Sequence, residues 1–93
     1  MPISINIPTP LRNYTNQQKC VPVQAQSVSE AIDALLAQYP ALSKHLLKSD
    51  GALRSFINIY LGDEDIRSLE NLETELEEGD ELSIIPSIAG GLA

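Results

Sequence analysis

Residues 79–93 read "GDELSIIPSIAGGLA". Gly79 and Asp80 are turn formers, and Leu82 and Ile84 then alternate with polar neighbours as in a half-buried strand. Pro86 halts the pattern, and two adjacent glycines, Gly90 and Gly91, follow. A strand placed this late must find its partner among much earlier residues, so it decides how the sheet closes. Residues 3–7, "ISINI", are the natural partner, since they alternate in the same way.

Between these two strands the pattern changes period. Pro8 and Pro10 end the first strand, and "LRNYTNQQ" (11–18) is polar and reads as a hairpin loop. "KCVPVQ" (19–24) resumes a strand, with Val21 and Val23 on one face. Pro22 cannot donate to a ladder, which predicts an edge position. Ser27 and Glu30 have capping-box spacing. Val28, Ile32, Leu35, Leu36 and Tyr39 then form one apolar stripe at helical intervals, stopped by Pro40. "ALSKHLL" (41–47) suggests a short second helix, and "KSDGAL" (48–53) a loop. "SFINIYL" (55–61) predicts a central strand, with Ile57, Ile59 and Leu61 on one face and Phe56, Asn58 and Tyr60 on the other. "GDED" (62–65) reads as a turn. Ile66, Leu69 and Leu72 anchor an irregular stretch.

The order β-β-α-β-β implies an α+β domain of two layers, a mixed sheet packed on one main helix. Order and length suggest the β-grasp, ubiquitin-like fold. The 93 residues make one domain (1–93), with a flexible Gly-Gly arm from about residue 86 to 93. Ile3, Ile5, Ile7, Ile57, Ile59, Leu82 and Ile84 are the expected core.

Bulk composition excludes several functions. Six basic residues against thirteen acidic ones give a net charge of −7. That disfavours nucleic acid and anionic membrane surfaces, and points to a basic protein partner. Cys20 is the single cysteine, so no internal disulfide or cysteine cluster forms. The start "MPISINIPTP" has neither a basic nor a long apolar segment, so a cytoplasmic protein is expected. His45 is the sole histidine, and its plainer reading is a surface or partly packed side chain. Cys20 has no His or Asp nearby in sequence and reads as a structural thiol. Ten carboxylates crowd Asp63 to Glu81 around one basic residue, Arg67. They lack calcium-loop spacing, so a solvated acidic face or a docking patch is expected, with no metal site. No phosphate-binding glycine loop is present.

The tail remains. A glycine pair falls this near a terminus by chance in roughly one chain in fifty, so the pair alone could be a bland flexible end. Its setting, directly after a strand, suits one chemistry. Glycine has no Cβ and can enter a channel too narrow for other residues. A carboxylate at its end can be adenylated and the adenylate displaced by sulfur or an amine.

"GDELSIIPSIAGG" (79–91) resembles the ending of the molybdopterin-synthase small subunit and of the thiamine-pathway sulfur carrier. The resemblance extends through "SINIPTPLRNYTNQQK" (4–19), "SFINIYLGDEDIR" (55–67) and "EEGDELSIIPSIAGG" (77–91). "NIYLGDEDIR" favours the subgroup serving a thiocarboxylate-dependent cysteine synthase. The resemblance implies a β-grasp protein that is no enzyme but a co-substrate. It implies that Gly91 is the carrier residue, with Gly90 beside it, and that a ubiquitin-activating-type enzyme adenylates Gly91 with ATP. No cofactor would be bound by the chain itself. The resulting thiocarboxylate would donate sulfur to an acceptor, such as aminoacrylate on a pyridoxal-phosphate (PLP) enzyme making cysteine, or for another thio-metabolite. Leu92 and Ala93 depart from the family's ending. They imply a processing site at Gly91, Leu92 and Ala93, cut by a zinc-dependent JAMM-type metallopeptidase. Phe56, Tyr60, Ile85 and Ile88 form the expected partner-docking surface, rimmed by the acidic stretch. Two other readings stay open: a ubiquitin-like modifier joined to lysines through Gly91, and an accessory binding domain whose glycines do no chemistry.

Overall fold

The computed structural model describes residues 2–86. Five strands and two helices follow in chain order: β1 (Ile3–Asn6), β2 (Cys20–Val23), α1 (Val28–Gln38), α2 (Ser43–Leu46), β3 (Ile57–Leu61), β4 (Glu64–Asp65) and β5 (Glu81–Pro86). They build one mixed sheet in the order β2-β1-β5-β3-β4. β5 runs parallel to β1 and antiparallel to β3, so the last strand does close the sheet beside the first.

The middle position therefore goes to β5, and β3 is covered on its other side only by the two residues of β4. Only half of "GDED" is a turn. Gly62 takes a φ of 60°, and the chain then pairs back through Glu64 and Asp65. The residues after β1 also differ from a plain loop. Thr9–Tyr14 wind into a 3₁₀ helix, which Pro10 favours near its start and which buries Leu11. Asn16 and Gln17 then turn the chain with positive φ before β2. Pro22 lies on the edge strand, opposite Ser4, where its missing N–H costs no ladder bond on the open side.

α1 begins as its spacing requires. The backbone N–H of Glu30 donates to Ser27 Oγ at 3.2 Å. Glu30 Oε1 reaches past the cap to accept from the Gln26 N–H at 2.9 Å. Val28, Ile32 and Leu35 are buried, joined by Ala31, while Leu36 and Tyr39 are half-buried at the margin. All seven expected sheet residues are buried, and Leu11, Leu42 and Leu46 extend the core beneath the two short helices. "ALSKHLL" does form a second helix, after a 3₁₀ turn at Pro40–Leu42.

The stretch after β4 is tied to the helix start. Val28 N–H donates to Thr74 O at 3.0 Å, and Leu76 N–H to Gln26 O at 2.9 Å. Thr74 and Leu76 point inward, which turns Glu73, Glu75 and Glu77 outward. Pro86, the expected start of the arm, still belongs to β5 and pairs with Ile57.

Candidate functional site

Alternation along the strands gives the sheet an inner face packed on the helices and an outer face. The register sets the outer face in rows. Cys20, Asn6, Ser83, Tyr60 and Asp65 lie side by side across all five strands. Within this row Asn6 Nδ2 donates to Ser83 Oγ at 3.1 Å. Asp65 forms an ion pair with Arg67 at 2.7 Å, and Arg67 also donates to Asn58. The Arg67 side chain and its backbone N–H hold the Asp65 carboxyl below the usual carboxylate range. The carboxylate in turn raises the guanidinium.

The predicted docking residues are thus divided. Ile85 sits opposite Asn58 and is 45% exposed, and Phe56, just before β3, is 41% exposed. These two stand at the end of the sheet from which the chain leaves β5. Tyr60 is half-buried in the polar row between Ser83 and Asp65. Ile88, Gly90, Gly91, Leu92 and Ala93 lie outside the described residues.

The acidic rim is divided too. Asp65 borders Tyr60, but Glu73, Glu75 and Glu78 line a pocket with Ser27 and Glu30 at the start of α1. The pairing of Thr74 and Leu76 with the helix start carries those carboxylates away from the exit of β5.

The region beside that exit is basic instead. A groove is lined by Pro8, Pro10, Leu11, Phe56, Ile57 and Pro86, with Lys44, His45 and Arg54 at its rim. Arg54 Nε donates to the Lys44 carbonyl at 2.9 Å, which ties the approach to β3 against α2. The His45 ring stacks on Tyr14 with centroids 4.4 Å apart. His45 is therefore the partly packed histidine its context suggested. Cys20 is exposed on the edge strand. Sequence reasoning missed this basic cluster because its members lie nine or ten residues apart, on α2 and before β3. The one available signal was that Lys44, His45 and Arg54 interrupt a run otherwise free of acids except Asp50.

Among the described residues, no group of three or more His, Cys, Asp or Glu side chains is placed to hold a metal ion. No helix among them is long and apolar enough to cross a membrane.

Residues 5–91 match the model of the ThiS family. The sulfur carrier protein CysO of Mycobacterium tuberculosis is 39% identical over 93 residues, covering 98% of this chain and 100% of that protein. A chain of the crystal structure of the Amycolatopsis orientalis BexX/CysO complex superposes with a TM-score of 0.86 at 38% identity, covering 96% of this chain and 99% of that one. The solution structure of small archaeal modifier protein 1 from Methanosarcina acetivorans gives a TM-score of 0.87 at 28% identity, covering 96% and 95%.

Proposed function

The chain belongs to the ThiS family of β-grasp sulfur carriers, and from that premise we propose that it carries sulfur on the carboxyl group of Gly91. A carrier of this kind is a co-substrate of partner enzymes and not itself a catalyst. The observation that supports Gly91 most directly is that the family match runs from residue 5 to residue 91, so it ends on the second glycine.

The chemistry has three steps. The Gly91 carboxylate attacks the α-phosphate of ATP on a ubiquitin-activating-type enzyme, and pyrophosphate leaves. A sulfur nucleophile attacks the acyl carbon, AMP leaves, and a thiocarboxylate remains. Its sulfur then bonds to carbon of an acceptor, such as an aminoacrylate held by a pyridoxal-phosphate enzyme, and water returns the carboxylate. ATP is used by the activating enzyme, and an ATP-dependent cycle is compatible with the cytoplasmic protein expected from the sequence. What the carrier contributes at the reacting end is Gly90 and Gly91, two residues without side chains.

Leu92 follows Gly91, so the Gly91 carbonyl is in a peptide bond and has no free carboxylate. Hydrolysis of Gly91–Leu92, by a JAMM-type metallopeptidase, must come first. ATP–pyrophosphate exchange with the activating enzyme tests this. The chain cut after Gly91 is expected to support exchange, and the uncut chain is not. Exchange at equal rates with both would remove the need for processing.

The same adenylate could be passed to a lysine amine, as a protein modifier would require. The archaeal modifier structure shares the fold at 28% identity, and the carrier relative matches 98% of this chain at 39% identity. The carrier reading is therefore preferred.

A further inference from the structure

In the groove beside the end of β5, apolar surface and positive charge meet with no carboxylate in the lining. The whole chain has six Lys and Arg against thirteen Asp and Glu. Two of those six, together with the sole histidine, border this groove, and no carboxylate lines it. Its lining is mostly apolar, Pro10, Phe56 and Pro86 included, and its volume is about 640 Å³. That is room for several side chains of an extended segment. The carboxylates of Glu73, Glu75 and Glu78 line a separate pocket at the start of α1. Charge is therefore segregated on the surface, as oriented docking requires.

We propose that this groove docks an acidic, apolar segment of the partner enzyme that acts on Gly91. The proposal rests on the carrier reading and names the chemistry of the partner's contact. Lys44 and Arg54 would meet carboxylates on the segment, and Phe56 with the prolines would meet its aliphatic or aromatic side chains. A basic segment, which the overall charge of −7 would invite elsewhere, is repelled here. Position supports the choice. Gly91 is five residues beyond Pro86, so chain length alone keeps it within about 18 Å of the groove. A partner seated there has the carrier residue within reach of its own active site.

The test is an amide-resonance titration of the full isotope-labelled chain with two synthetic peptides, DELFDE and KRLFKR. DELFDE is expected to shift the amides of Lys44, Arg54 and Phe56, and KRLFKR is not. Lys44→Glu should weaken DELFDE binding on the order of tenfold, while Lys48→Glu, an identical charge change outside the groove, should leave it near wild type. Phe56→Ala should weaken it without altering the rest of the spectrum, and that unchanged spectrum shows the variant is folded. Equal binding of both peptides overturns the proposal, as does no shift with either at millimolar concentration. Equal weakening by the two lysine variants overturns it too. So do groove shifts that track protein concentration without peptide, since a second copy would then be the occupant. Adenylation of the chain cut after Gly91, read separately by mass, isolates the carrier reading. Lost peptide binding with intact adenylation removes only the groove, and lost adenylation with intact peptide binding removes only the carrier chemistry.

Discussion

The two faces of β3 and β5 are made from the same ten or so residues and serve opposite purposes. On the inner face Ile57, Ile59, Leu82 and Ile84 are at most 6% exposed. On the outer face Phe56 and Ile85 are over 40% exposed, and Asn58, Tyr60 and Ser83 are half-buried. One residue of displacement in register would exchange the two sets. The inner face pays for ordering the chain through burial of branched side chains, whereas the outer face keeps large side chains in water. Such exposed apolar side chains contribute little to folding and are available for a partner.

The difference can be broken most severely from inside. Leu82→Ala, at a fully buried position of β5, should lower unfolding stability by about 2–5 kcal/mol, measured by urea denaturation. A loss below about 1 kcal/mol would mean that β5 does not hold the core. Ser27→Ala removes the acceptor for the Glu30 N–H and should cost about 1 kcal/mol by the same measurement. On the outer face, Phe56→Ala with Ile85→Ala should leave stability within about 0.5 kcal/mol of wild type. The same pair should weaken binding of the activating enzyme, measured by calorimetry. Unchanged affinity would remove this face from the docking surface.

The smallest effect concerns Asp65. Its folded carboxyl is held below its ordinary value by Arg67. The pair's contribution is therefore complete above the ordinary carboxylate range, and it is lost as pH falls through the lowered folded value. Arg67→Ala should flatten this acid limb slightly and leave neutral-pH stability nearly unchanged, because the pair is exposed. A large loss at neutral pH would show that the pair anchors β4 to β3.

Most of the inner face was legible in the sequence, because period-2 and period-3.6 patterns report burial directly. Ile3, Ile5 and Ile7 needed only alternation, and α1 needed only Ser27, Glu30 and the apolar stripe. What was not legible depended on contacts between distant segments. "ETELEE" alternates as clearly as a strand, yet its burial of Thr74 and Leu76 depends on backbone bonds to Gln26 and Val28 some fifty residues earlier. Those bonds carry the acidic side chains away from the end of β5 and leave the basic groove there. Likewise, Tyr60 shared a face with Phe56 by parity alone, but only the register shows Asp65 beside it. The glycine pair was recognisable from composition and setting, and the family match now extends to it.

The central claim is that Gly91 carries sulfur, and intact-mass measurement tests it most directly. The chain cut after Gly91 would be incubated with its activating enzyme, ATP and a sulfide source. The predicted result is a single shift equal to one oxygen exchanged for sulfur, confined to the C-terminal fragment and absent without ATP. An unchanged mass, or the chain found joined to lysines of other proteins with no thiocarboxylate form, would contradict it.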